Sequence, residues 1–208
     1  MENPQQLSLL DSGLTLAQIE QKLQACRECP IGSNGTRAVQ GDGPQIARIM
    51  IVGEQPGDEE EKAGRPFVGP AGAVLNEIFD QLPIGRSDVY VTNAVKHFKF
   101  IPRGKRRIHD KPNASEIGIC SRAWLDQEIK LVQPQAIVCL GASAAQGVLD
   151  MYVSIGQNLN RTFRHSSGTP VHVTYHPAAV LRVQDLRTSN SMKESIRNTL
   201  QNAMKLAG

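Results

Sequence analysis

Arg48 to Gly57 reads RIMIVGEQPG, and the architecture follows from those ten residues. An apolar, mostly β-branched run stops at a glycine, the pattern of a short strand buried on both faces. A Gly/Pro-rich loop comes next. AGAVLNEIFDQL (71–82) then repeats its apolar residues at helical spacing. Strand, loop and helix in that order open a parallel α/β unit.

The same alternation continues along the chain. DVYVTNAV (88–95), QAIVCLG (135–141) and PVHVTYHP (170–177) read as strands. ASEIGICSRAWLDQEIKLV (114–132), ASAAQGVL (142–149) and NSMKESIRNTLQNAMKL (190–206) read as helices, the first entered through Pro112 and Asn113. Leu16, Ile19 and Leu23 mark a short amphipathic helix before Cys26. The prediction is one α/β domain over 1–208, a three-layer α/β/α sandwich around a mostly parallel four-stranded sheet. Residues 1–14 read as a loose lead-in and 98–112 as a basic loop insertion.

Charge singles out that insertion. Between Lys96 and Lys111 there are seven Lys or Arg and one acid, Asp110, whereas the whole chain carries only +3. A basic segment on a mildly acidic body is the footprint of a polyanion binder. No apolar run reaches membrane-spanning length and no signal pattern opens the chain, so the expected setting is cytoplasmic, without membrane. Cysteines there serve as thiols or metal ligands rather than disulfides.

In parallel sheets ligands bind beyond the carboxyl ends of the strands. That rule gathers Glu54, Asn93 and His176, far apart in sequence, at one sheet edge. Each has a plain alternative: a salt bridge for Glu54, a turn cap for Asn93, a loop histidine for His176. GEQPG is neither a dinucleotide fingerprint nor a Walker A loop. Its glycines instead suit close approach to a small flat ligand. Phe67, on the loop GRPFVG, is placed either to stack on a base or to pack the loop down.

Cys26-x-x-Cys29 is a ligand pair. Cys120 lies on the helix after the basic segment, and Cys139 reads as an inert core thiol. His97, just past the second strand, is a candidate fourth ligand. A Cys3His set suits zinc or an iron–sulfur cluster, and spacing does not separate them.

GEQPGDEEEKAGRPFVGPAG (53–72), YVTNAVKHFKF (90–100), KRRIH (105–109) and YHPAAVL (175–181) resemble, in the same order, the UdgX branch of the uracil-DNA glycosylase superfamily, which is related to family 4. The resemblance covers most of the chain, from about Cys26 to the last helix. It implies a [4Fe–4S] cluster on Cys26, Cys29, His97 and Cys120, His97 standing where family 4 typically has cysteine. It implies that Asn93 reads the uracil edge, Phe67 stacks on the ring, and Gly53 and Gln55 border the base. An amide offers one donor and one acceptor, which match uracil O4 and N3–H and mismatch cytosine at both places.

The resemblance further implies that His176 stabilises the departing uracil anion and that His109 then bonds to C1′ of the sugar, ending the enzyme's working life. Lys105, Arg106 and Arg107 would hold the DNA backbone. Glu54 would orient His109, accept its proton or stabilise the cationic sugar. The expected substrate is uracil-containing DNA, single strands preferred because no base must be unpaired. The expected species is a bacterial monomer that joins the nucleoid when acting on DNA. Two other readings are a turnover glycosylase that leaves an abasic site and a non-catalytic iron–sulfur protein that binds nucleic acid.

Overall fold

A computed structural model describes residues 14–159 and 161–207; most of the expected lead-in lies outside them. Its centre is a five-stranded sheet. Strands β1 (Ile49–Gly53) and β2 (Tyr90–Asn93) are followed by a separate antiparallel pair, β3 (Phe100–Arg103) and β4 (Arg106–His109). Strands β5 (Ala136–Leu140), β6 (Thr162–Arg164) and β7 (Pro170–Thr174) complete the set, and the sheet order is β2-β1-β5-β7-β6. The four expected strands are mutually parallel, and β6 adds an antiparallel edge.

Alternation along the strands fills both faces. Met50, Val52, Ile137 and Cys139 point into one core, with α1 (Leu16–Gln24), α4 (Ala114–Cys120), α5 (Asp126–Val132) and α6 (Ala142–Leu149). Ile49, Ile51, Val138 and Leu140 point into the other, with α3 (Pro70–Phe79), α8 (Pro177–Arg182) and α9 (Leu186–Ala207). This is the expected three-layer sandwich. Short helices α2 (Asp58–Ala63) and α7 (Ile155–Asn158) lie between the main elements. Among the described residues no helix is long and apolar enough to cross a membrane.

Two local features differ from the sequence pattern. The predicted helix 114–132 is continuous, but Ser121–Leu125 form a π turn between α4 and α5, immediately after Cys120. The predicted basic loop 98–112 is a β-hairpin. Its two-residue turn has Gly104 at φ 60°, the first central position at which such hairpins favour glycine. The run of cations concealed the period-2 pattern of these strands.

One polar group is sealed under the sheet edge. Lys96 Nζ is fully buried and donates to Glu128 Oε2 (2.6 Å), Thr92 Oγ1 (2.7 Å) and the Asn93 carbonyl (2.9 Å). All three ammonium protons are matched, which a buried charge requires. The network pins the end of β2 at Asn93.

Candidate active site

The carboxyl ends of β1, β2 and β5 and the start of α8 enclose a cavity of about 420 Å³, lined among others by Glu54, Phe67, Asn93, His109, Ser143 and His176. The three strand-end residues named from topology therefore meet in one place. Asn93 is buried at the end of β2, and its side chain lines the cavity. Phe67 is nearly buried at φ 56°, a backbone state that costs a bulky residue about 1–3 kcal/mol. That conformation sets its ring 5.9 Å from the His176 ring, tilted by 30°.

Gly53 makes the convergence feasible. A Cβ there would lie 2.3 Å from Asn93 Oδ1 and 2.6 Å from Phe67 Cζ. Gly53→Ala is expected to displace one of the two and to weaken the binding of a flat ring stacked on Phe67 by about tenfold to a hundredfold, a loss of about 1–3 kcal/mol. Competition among free nucleobases for the cavity measures it.

Glu54 Oε1 lies 3.2 Å from His109 Nε2, and Ser143 Oγ donates a short hydrogen bond to Oε2. Burial raises the carboxyl's pKa. The hydrogen bonds from His109 and Ser143 and the nearby imidazoles outweigh that and hold it below the usual carboxylate range. His176 caps α8: the Ala178 N–H donates to its Nδ1 at 3.1 Å. A backbone N–H can only donate, so the neutral ring carries its proton on Nε2. Burial pushes this imidazole down to about 4, so the ring is neutral at physiological pH.

Two residues expected to touch DNA have their side chains committed elsewhere. Gln55 lines the cavity, but its Nε2 donates to the carbonyls of Lys99 (3.2 Å) and Asp110 (3.0 Å), and its Oε1 accepts the Lys99 N–H (3.1 Å). It clips both feet of the β3–β4 hairpin to the end of β1. Arg107 is ion-paired with Asp58 and with Glu61 (2.8 Å), and its guanidinium lies over Phe98 and Phe100 at 5.5 and 5.2 Å from the ring centres. Lys105 and Arg106 remain exposed near the tip. Ser143, Asp58 and Glu61 were missed by the sequence reading. The strand-end rule applied to β5 reaches Ser143, and the acid run DEEE was visible without a partner.

Cys26, Cys29, His97 and Cys120 are all buried on the β2 side of the fold. Trp124 Nε1 donates to Cys26 Sγ at 3.2 Å, and the Lys96 N–H to Cys120 Sγ at 3.3 Å. His97 Nε2 is buried without a hydrogen-bond partner, and burial, with Arg27 nearby, pushes the imidazole down to about 4. Burial pushes the Cys120 thiol up to about 12. Among the described residues no group of three or more His, Cys, Asp or Glu could hold a single metal ion. An orphaned neutral imidazole and buried sulfurs that accept N–H bonds fit the donor shell of an iron–sulfur cluster. Cys139 is buried in the core, as expected.

Residues 40–201 match the sequence profile of the Uracil DNA glycosylase superfamily. The chain is similar to the Type-4 uracil-DNA glycosylase of Pyrobaculum aerophilum, 35% identical over 181 residues that cover 84% of this chain and 88% of that protein. It is also similar to the Type-4 uracil-DNA glycosylase of Thermotoga maritima, 35% identical over 186 residues, covering 89% and 91%. A Type-5 uracil-DNA glycosylase of Pyrobaculum aerophilum is 29% identical over 184 residues, covering 78% and 73%.

Proposed function

We propose that this chain, which belongs to the uracil DNA glycosylase superfamily, excises uracil from single-stranded DNA and remains bonded to the sugar through His109, as the UdgX resemblance implies. It is an enzyme of the uracil-DNA glycosylase type. The observation that carries the finer reading is the 3.2 Å approach of His109 Nε2 to Glu54 Oε1 at the lip of the cavity. A histidine serving only to hold phosphate has no need of a carboxylate beside the reacting bond.

Uracil enters between Phe67 and the sheet edge and presents its O4 and N3–H to the Asn93 amide. Cytosine presents the reverse pattern and leaves both groups unpaired, at about 1–3 kcal/mol each. The C1′–N1 bond breaks and its electron pair leaves with the base. The Nε2–H of His176 donates to the developing oxyanion. Glu54 stabilises the cationic sugar. An imidazole nitrogen of His109 then bonds C1′ through its lone pair, and the ring's proton passes to Glu54. The alkylated imidazole has no easy hydrolytic exit, so each molecule reacts once.

Gln55 and Arg107 act indirectly, by holding the hairpin so that His109 faces Glu54. Lys105 and Arg106 take phosphate. Cys26, Cys29, His97 and Cys120 hold a [4Fe–4S] cluster that pins the N-terminal segment to the foot of the hairpin. The purified protein is expected to be brown and to contain roughly four iron and four sulfide per chain, and Cys26→Ser to lose both. Metal and sulfide assays check this, and zinc in place of iron would reject the cluster.

The 35% identity to Type-4 enzymes favours a second reading, a turnover glycosylase. A denaturing gel separates the two. Incubation with a uracil-containing single strand is expected to give a shifted protein band that survives SDS and heat. Free uracil in excess of enzyme without that band would establish turnover, and binding without uracil release would remove both readings.

A further inference from the structure

We propose that the outward face of the β3–β4 hairpin is a track for the DNA strand beyond the excised nucleotide, an inference that rests on the function proposed above. The register pairs Phe100 with His109, Ile101 with Ile108, Pro102 with Arg107 and Arg103 with Arg106. Side chains alternate faces in a strand. Phe100, Pro102, Arg107 and His109 therefore share the inward face, which is occupied by the Phe98–Phe100 stack, the Arg107 ion pairs and Glu54. Ile101, Ile108, Arg103 and Arg106 share the outward face.

That face is unusual in two ways. Ile101 and Ile108 lie opposite one another yet are 56% and 42% exposed, leaving a rigid apolar pair in water. Arg103 and Arg106 also lie opposite one another, and like charges so placed repel. Neither is paired with an acid among the described residues. An anion between the two guanidinium groups removes the repulsion, and a sugar or base laid on the isoleucines covers the apolar pair. A single nucleic-acid strand supplies both at once. A second copy of this chain docked through the same face would cover the isoleucines but bring no anion to the arginines, because Ile101, Ile108, Arg103 and Arg106 include no acid. From the level of His109, whose side chain is on the inward face, the outward face runs toward the tip for about 10 Å, three residues of strand.

The probes are single-stranded oligodeoxynucleotides with one uracil and a flank lengthened stepwise on either side. The readout is the reaction rate at sub-saturating DNA, followed by uracil release. For the unaltered chain the rate is expected to rise about tenfold once one flank reaches the hairpin face, and then to level off. Ile101→Thr with Ile108→Thr keeps β-branched residues in both strands while removing the apolar pair, and Arg103→Gln with Arg106→Gln removes the anion clamp. Both double variants are expected to lose the gain with length. The arginine variant should also flatten the dependence of log rate on log salt by about 0.7 for the phosphate lost.

Variants that keep the full gain and slope would overturn the proposal, as would a rate independent of flank length in the unaltered chain while uracil is still released. Self-association without DNA that the threonine variant abolishes would assign the face to a second copy. No uracil release from any oligonucleotide would defeat the functional reading itself, and this inference with it.

Discussion

His109→Ala is expected to abolish the SDS-stable complex proposed with uracil-containing single-stranded DNA, while uracil is still released. The first half follows from chemistry: without the imidazole no lone pair is positioned to bond C1′. The second follows from the division of labour in the cavity. In the proposed mechanism Asn93, Phe67 and His176 bind and polarise the base, and none of the three lies on the hairpin. Truncation opens space beside Glu54 for a water, and the same carboxylate can take the water's proton. The variant is therefore expected to turn over and leave an abasic site, while covalent complex falls by about a thousandfold or more, the scale of losing a nucleophile. Denaturing gels and uracil quantitation on one sample read both effects. A surviving band in His109→Ala would place the nucleophile elsewhere.

Glu54→Gln acts earlier in the reaction. Glutamine keeps the shape and can still accept from Ser143, but it carries no charge and takes no proton. Uracil release and complex formation are both expected to slow by about a hundredfold to ten-thousandfold. Uracil affinity should hardly change, because the base contacts lie on Asn93 and Phe67. Binding unchanged with rate lost is the signature of an interaction made in the transition state. In the unaltered protein the hydrogen bonds from His109 and Ser143 keep this carboxyl below the usual range. In the proposed mechanism the ionised form is the active one, and it is lost as pH falls. The Glu54 contribution is accordingly expected to persist down to about pH 5 and to decline only at lower pH. Single-turnover rates of uracil release across that range test it. A Glu54→Gln variant with an unaltered rate would assign the carboxylate to orientation alone.

The architecture was open to reading because it is written in local patterns. RIMIVG, QAIVCLG and their neighbours are short, apolar and bounded by glycine or proline, and they alternate with segments of helical period. The strand-end rule then placed Glu54, Asn93 and His176 together without any long-range contact being known. The hairpin was harder. IPRGKRRIH alternates only weakly in hydropathy, because its inward face holds an arginine and a histidine rather than a core.

Residue type and topology thus determine the sheet, the ends of its strands and the groups that stand there. Partner choice is another matter. Gln55 binds carbonyls 44 and 55 positions away, Arg107 binds acids 46 and 49 positions away, and Ser143 reaches back 89 positions to Glu54. Hydrogen bonds and ion pairs act over a few ångströms, so a side chain's partner is settled by which backbone the packed layers bring beside it, and no local pattern records that.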